Sequence, residues 1–339
     1  MTKEQINKLI LEGEFPENTG RSSLVETHIS WVLLGNKFTY KIKRPIQYSF
    51  LDFSTVEKRK YYCEREVELN KRLTNDIYLS TVPVREKQGR FYIGGDDGVI
   101  IDWAVKMHTL DSSRQMDVLL LKNKVTHNNI KKLAEKITAF HKNATIIHQK
   151  DFMDVEKQFN DLQTESDYLT AHLGEDSNTI ISHAIAVSTA FMEKHKKLLA
   201  SRLEAGFFRD CHGDLHSRNI FLSATPQPFD CIEFNDAFRQ IDVLNEIAFF
   251  CMDLDSFGRQ DLSDLFIEQY NKIFPVMNTT EDKLLFIYYK SYRSNIRAKV
   301  NSLRARSSKD ELEKTIALKD SGKYLQLMNG YISTLEQAK

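Results

Sequence analysis

Four cysteines, six prolines and thirteen glycines in 339 residues leave several classes of protein without support. Cys63, Cys211, Cys231 and Cys251 show no CxxC or other zinc spacing, and so few in a chain of this size make no disulfide framework. A reducing, cytoplasmic setting is the reading that fits. The scarcity of proline and glycine argues against a long disordered linker, and no repeat or low-complexity tract appears. No apolar run approaches the roughly 20 residues of a membrane span, and Met1 to Phe15 lacks the apolar core of a signal peptide. Lys plus Arg and Asp plus Glu both number 47, so the summed charge gives no footprint for nucleic acid or for an anionic membrane. The phosphate loop G-x-x-x-x-G-K-[ST] is absent too. Oligomeric state has no signature in the sequence.

What is present falls into two regions. Trp31 to Leu34, a Gly35-Asn36 turn signal and Phe38 to Lys43 read as a hairpin. In its second strand Phe38, Tyr40 and Ile42 share one face, so Thr39, Lys41 and Lys43 share the other. An exposed amphipathic helix follows from Thr55 to Leu73, carrying Glu64, Glu66 and Glu68. Phe91 to Ile93 and Val99 to Met107, around a Gly94 to Gly98 turn, read as a strand pair. After His108 the pattern turns helical. Thr126 caps a helix containing Ile130, Leu133, Ile137 and Phe140, and further helices are predicted over 152–172, 178–203, 282–303 and 308–337. Short strands are expected around 207–210, 220–222 and 229–234. The expectation is an α+β chain of two lobes, a small β-rich lobe over 1–107 and a larger, mainly helical lobe over 108–339.

The stretch Cys211-His212-Gly213-Asp214-Leu215-His216-Ser217-Arg218-Asn219 carries the strongest chemical signal. Its Asp-x4-Asn spacing is that of a kinase catalytic loop, in which the Asp accepts the proton of an attacking hydroxyl and the Asn holds magnesium on nucleotide phosphates. Two other readings compete. His212, Asp214 and His216 alternate and offer imidazole and carboxylate to a hydrolase metal, although the other eight histidines have no ligand spacing. Alternatively His212 is a core histidine and Asp214 a turn residue, which leaves Asn219 unexplained.

Phosphoryl transfer rests on positioning and charge, so a kinase also needs a phosphate lysine, a carboxylate to orient it and a second metal ligand. Lys41 or Lys43 fits the first role and Glu64, Glu66 or Glu68 the second. Asp230 and Glu233, on the predicted strand 229–234, are the candidates for the third. On a regular strand they face opposite ways and share a metal only if the chain bends. Asp242 is a candidate to hold the catalytic loop by accepting its backbone N–H groups. The connection after Val99 to Val105, with Lys106, Met107 and His108, is the expected adenine contact. The turn Glu26-Thr27-His28-Ile29-Ser30 is the expected phosphate cover, since no G-x-G-x-x-G precedes the lysine strand. Tyr292, Arg293, Arg297 and Lys299 on one late helix are candidate acceptor contacts, against the plainer reading of a solvated basic face.

Together these stretches resemble the aminoglycoside phosphotransferase and choline kinase superfamily, whose members have a protein-kinase-like fold and phosphorylate small-molecule hydroxyls. His212-Gly213-Asp214 through Asn219 resembles its catalytic loop, Ile232-Glu233-Phe234 its Ile-Asp-Phe element, and Glu246-Ile247-Ala248 its Asp-Ile-Ala. Ala139-Phe140-His141 resembles a helix end common there. The resemblance favours Glu233 over Asp230 as second metal ligand and selects Glu66 on the helix. More narrowly, Glu26 to Val32, Tyr40 to Pro45, Phe50 to Ser54 and Asp230 to Asp236 look like a bacterial branch often fused to a C-terminal P-loop ATPase domain, of which this sequence shows no sign. The resemblance implies ATP, with GTP as an alternative, Mg2+ as cofactor and a small polar hydroxyl compound as acceptor. It leaves open a nucleotidyl transferase or a nucleotide-binding pseudokinase.

Overall fold

The computed structural model describes residues 1–16, 23–74 and 76–338. Its elements, in chain order, begin with α1 (Lys3–Glu12), β1 (Ser23–Glu26), β2 (Ser30–Leu34), β3 (Phe38–Lys43), β4 (Gln47–Tyr48), β5 (Leu51–Asp52) and α2 (Val56–Asn70). Then come β6 (Tyr78–Lys87), β7 (Arg90–Ile93), β8 (Val99–His108), α3 (Met116–Leu121), α4 (His127–Asn143), α5 (Asp154–Asn160), α6 (Ser166–Leu173) and α7 (Asp176–Glu204). The chain continues with β9 (Phe208–Asp210), β10 (Ile220–Leu222), β11 (Pro226–Pro228), α8 (Asp236–Arg239) and β12 (Gln240–Asp242). It ends with α9 (Val243–Ser256), α10 (Gln260–Ile273), α11 (Thr280–Ser307) and α12 (Glu311–Gln337). No described helix is long and apolar enough to cross a membrane.

Two compact units emerge, Met1–Leu119 with Arg218–Arg239, and Leu120–Ser217 with Gln240–Lys339. The segment 218–239, distant in sequence, belongs to the first unit.

In the first unit an antiparallel sheet runs in the order β1-β2-β3-β8-β6-β7. The alternation of β3 decides what lies on each face. Phe38, Tyr40 and Ile42 pack with Trp31, Leu33, Val84, Phe91, Ile93 and with Ile6 and Leu9 of α1. The opposite face carries Lys41 and Lys43, and beside them Val105, Met107 and Tyr78 pack on Cys63 and Val67 of α2. Arg59 fastens α2 to the sheet, its Nε donating to Asp102 (2.8 Å) and its Nη1 to the Phe53 carbonyl (2.9 Å).

The predicted pairing of 91–93 with 99–107 is corrected. Strand β7 pairs with β6, a ten-residue strand that the sequence reading left out, and β8 lies between β6 and β3. The β6–β7 turn is Gln88-Gly89, with φ of 52° and 79°. Positive φ at both central positions makes the twist that suits a two-residue hairpin. The Gly94 to Gly98 turn links strands that are not neighbours.

The second unit is helical. Helix α4 opens on a capping box in which Thr126 accepts from the Asn129 N–H and the Asn129 side chain accepts from the Thr126 N–H. The predicted helix over 152–172 is α5, a 3-10 turn and α6. Helix α9 is buried at every position from Val243 to Leu254, so it sits at the centre of the unit. The short ladder of β9 and β12 delivers the chain into residues 211–217.

Candidate active site

The first unit gathers a compact cluster of opposite charges. Lys41 Nζ lies 2.8 Å from Glu66 Oε1 and 2.5 Å from Asp230 Oδ1, while Lys43 Nζ lies 2.7 Å from Glu66 Oε2 and also binds Glu233 Oε1. Lys43, Glu66 and Glu233 are buried; the Asp230 side chain is 41% exposed. Glu66 thus uses one oxygen for each lysine. Burial alone disfavours both lysine charges, but Asp230 and Glu66 raise the Lys41 pKa well above its ordinary value, and Glu233 and Glu66 do the same for Lys43. Burial pushes Glu66 upward too, yet the two ammonium groups bring it down to about 2. Burial raises Glu233 against the pull of Lys43, and the Glu66 charge adds to the rise.

Asp230 and Glu233 reach neighbouring lysines because residues 229–235 are not the predicted strand. Strand β11 ends at Pro228, and Asp230 takes φ 62°, the left-handed region that Asp visits more readily than most residues. The bend breaks the alternation that separates the two carboxylates on a regular strand. Its hydrogen bonds fix it: Asp230 N–H donates to Tyr78 Oη (3.1 Å), Cys231 N–H to Asn70 Oδ1 (2.9 Å), and Arg239 Nη1 to the Ile232 carbonyl (2.8 Å). Phe229 N–H donates to the Asn219 carbonyl (2.9 Å), so the Asn219 and Asp230 segments run side by side within this unit.

Met107 and His108 do not lie in a connection. Strand β8 extends through His108, the His108 N–H donates to the Ile77 carbonyl (2.9 Å), and Met107 packs among Cys63, Val67 and Tyr78. The chain leaves the strand at Thr109. The Thr27 to Ser30 stretch is the β1–β2 hairpin turn, closed by Thr27 Oγ1, which accepts from the Ser30 N–H (2.9 Å).

The second unit builds the loop 211–217. Glu246 of α9 accepts from the backbone N–H of His212 (2.9 Å) and of Gly213 (2.6 Å), and meets His141 Nε2 (2.9 Å), whose Nδ1 meets Tyr270 Oη (2.7 Å). Asp253, seven residues on and so on the same helix face, accepts from the Ser217 N–H (2.8 Å). These two carboxylates hold both ends of the loop. Asp242, the sequence candidate for that role, instead caps α9 and pairs with Arg202, whose Nε is 2.6 Å from Oδ2. The signal for Glu246 and Asp253 is an acidic residue at each of two positions seven apart in a mainly apolar, buried helix.

Between these anchors Gly213 takes φ 89°, a conformation costly for a residue with a Cβ. Asp214 N–H donates to His212 Nδ1 (3.2 Å), and its carboxylate lies 3.3 Å from His216 Nε2. Burial raises the Asp214 carboxyl, but His216, Arg297 and His212 outweigh it and hold the group well below the usual carboxylate range. Arg293 of α11 donates to Asn245 Oδ1 (2.7 Å) and to the Gly213 carbonyl (3.3 Å). Tyr292 and Arg293 are therefore buried structural contacts, not parts of a solvated basic face. The metallohydrolase arrangement does not assemble. Among the described residues, the ligand-like group is His141, Cys211 and Glu246, in which Glu246 is already the acceptor of loop N–H groups.

Glu246 also sets a pH dependence. Burial opposes its charge, but the His141 bond and the loop N–H groups bring its carboxyl from 4.5 down to about 2. A depressed carboxylate stabilises the fold above its unfolded value and ceases to as pH falls through the folded one, so this contribution, about 3 kcal/mol, is lost between pH 4.5 and 2. Glu246→Gln should be less stable than the native chain at pH 7, with the difference shrinking toward pH 2. Urea titrations at both pH values check this; a constant difference refutes it.

No family profile matches the chain. Proteins of Mycobacterium tuberculosis and Mycobacterium bovis, both named only as uncharacterized, are 29% identical over 292 residues, which is 84% of this chain and 56% of theirs. The chain therefore spans little more than half the length of these relatives. Among solved structures, the GDP and kanamycin complex of APH(2")-IIia aligns with a TM-score of 0.54 at 10% identity, covering 95% of this chain and 98% of that one. The fold is that of the aminoglycoside phosphotransferase and choline kinase superfamily. A choline kinase from Cryptosporidium parvum (TM-score 0.53, 10% identity, 95% and 89% covered) and a choline/ethanolamine kinase family protein from Mesorhizobium loti (0.52, 11%, 97% and 99%) have this fold too.

Proposed function

We propose that the chain is a nucleotide-dependent phosphotransferase that moves the γ-phosphoryl group of ATP, or of GTP, to a hydroxyl of a small polar molecule. The observation that carries this reading is the lysine cluster: a strand lysine, Lys41, held by the buried helix glutamate Glu66 and turned toward Asp230 in the bend after β11. Such a lysine neutralises phosphate charge, and Glu66 fixes where it does so. Lys43 is the alternative, but it is enclosed by Glu66 and Glu233, whereas Lys41 faces the partly exposed Asp230.

The donor set fits magnesium. Two ammonium groups face three carboxylates, leaving a negative charge in excess, and the carboxylate with access to solvent is Asp230. Asp230 and the Asn219 amide oxygen are hard oxygen ligands of the kind Mg2+ takes, and we assign them ahead of the buried Glu233. Bound there, the ion neutralises phosphate charge. The acceptor hydroxyl oxygen forms the new bond to the γ-phosphorus, the bond to the β-bridging oxygen breaks, the nucleoside diphosphate leaves, and the hydroxyl proton passes to the Asp214 carboxylate. His216 and Arg297 keep Asp214 ionised, Glu246 holds the loop that places it, and the base edge of the nucleotide meets the backbone from Thr109 onward.

Thermal unfolding with ATP, GTP or neither, each with and without Mg2+, tests this. A ligand that binds the native state raises the midpoint, by about 2.7 kcal/mol of stabilisation at 100 times its Kd. The expected result is a magnesium-dependent rise with a nucleoside triphosphate, absent in Lys41→Met. No rise with either nucleotide overturns the reading.

A further inference from the structure

The basic residues of α11 do not all have the same surroundings. Lys290 Nζ is 2.5 Å from Asp255, Lys299 Nζ is 3.4 Å from Asp161, and Arg293 is held by Asn245 and the Gly213 carbonyl. Arg297 differs. Among the described residues no carboxylate lies within ion-pair distance of it, and its buried Nε has no hydrogen-bond partner. Its guanidinium sits 5.5 Å from the Tyr324 ring centroid, which limits where the head can swing.

Its position is set by helix geometry. Arg297 follows Arg293 by four residues, one turn along the same face, and Arg293 touches the loop carbonyl immediately before Asp214. Burial works against the Arg297 cation, but Tyr324, Asp214 and Asp253 favour it, and Arg297 in turn helps depress the Asp214 carboxyl, so the charge reaches the loop. A cation beside a general base, with a buried donor left without a partner and no direct ion pair, recognises an anion. Guanidinium is the side chain best matched to carboxylate or phosphate oxygens.

We propose that Arg297 binds an anionic group of the acceptor, so that the molecule phosphorylated is a hydroxylated carboxylate or phosphate ester and not a polycationic aminosugar or a quaternary amine. The proposal rests on the phosphotransferase reading. In it Arg297 orients the acceptor, setting the reactive hydroxyl toward Asp214 while its own charge offsets that of the acid.

The test uses the full chain saturated with Mg2+ and a non-hydrolysable analogue, AMPPNP or, where that does not bind, GMPPNP, which fills the nucleotide phosphate positions. Sulfate, as the simplest anion, and choline, as a cationic control, are titrated in calorimetry at constant ionic strength. The expected result is saturable, one-to-one sulfate binding and no choline binding. Arg297→Gln should weaken sulfate at least tenfold, and Arg297→Lys should recover part of it, with far-UV circular dichroism certifying each fold. If the analogue binds but sulfate does not, if choline binds in its place, or if Arg297→Gln binds sulfate like the native chain, the anionic-acceptor assignment is wrong. Failure of both AMPPNP and GMPPNP to bind overturns the phosphotransferase reading, and is seen before any sulfate is added.

Discussion

Asp214→Asn should lower the rate of phosphoryl transfer by roughly 10²–10⁴-fold, the usual contribution of a positioned general base, while leaving nucleotide binding in place. The substitution is close to isosteric and removes the proton acceptor without touching Lys41, Glu66 or Asp230, which belong to the other unit. Release of labelled phosphate from ATP and transfer to the acceptor give the rate; the nucleotide-induced rise in melting midpoint gives the binding. Two results separate the readings. Loss of rate with binding kept is what a base predicts. Unchanged turnover removes Asp214 from the chemistry, and a nucleotide-binding protein without catalysis shows no turnover in either form.

The same substitution probes the loop around the base. Asp214 is set by groups from several elements: His216 on its own loop, Glu246 and Asp253 at its two ends, and Arg293 from α11. His216, Arg297 and His212 outweigh burial and keep this carboxylate ionised over the physiological range, so it accepts a proton only as the hydroxyl oxygen commits to phosphorus. Positioning, not basicity, is then its main contribution.

The sequence made some of this legible and hid the rest for identifiable reasons. Alternation along Phe38–Lys43 places Lys41 and Lys43 on one face, because a strand has period two whatever surrounds it. Helical spacing likewise gives α2 and its glutamates, and Glu66 is the one that meets both lysines. Strand β6 escaped because Pro83 interrupts it and its burial is uneven, so no clean alternation marks it. The bend at Asp230 was invisible for a different reason: Phe229-Asp230-Cys231-Ile232 is mostly apolar and reads as a short strand, whereas tertiary bonds to Tyr78 and Asn70 hold Asp230 in the left-handed region. Asp242 and Glu246 are both acidic residues near the start of one helix, and the choice between them depends on Arg202, which claims Asp242 from far away in sequence.

Lys43 and Glu233 provide the second large effect, and it decides what Glu233 is for. Both are almost fully buried, 1% and 3% exposed, and each is the other's partner, with Glu66 as the further acceptor for Lys43. Removing one member strands the other's charge in a dry site, which costs about 3–5 kcal/mol, whereas replacing both with apolar side chains of similar volume is often close to neutral. Lys43→Met and Glu233→Gln should therefore each be strongly destabilised, and Lys43→Met combined with Glu233→Leu should recover much of the loss in urea titrations. If Glu233 is a counterion that holds the 230–233 bend in place, the double variant keeps magnesium-dependent nucleotide binding, and Asp230→Asn raises the magnesium concentration needed by at least tenfold. If Glu233 is instead the metal ligand, as the sequence resemblance favours, the double variant folds but loses the magnesium dependence. Exposure points toward the first outcome: Glu233 is sealed against Lys43 in a dry site, whereas Asp230, although it too pairs with an ammonium, that of Lys41, has a side chain 41% exposed and open to a hydrated ion.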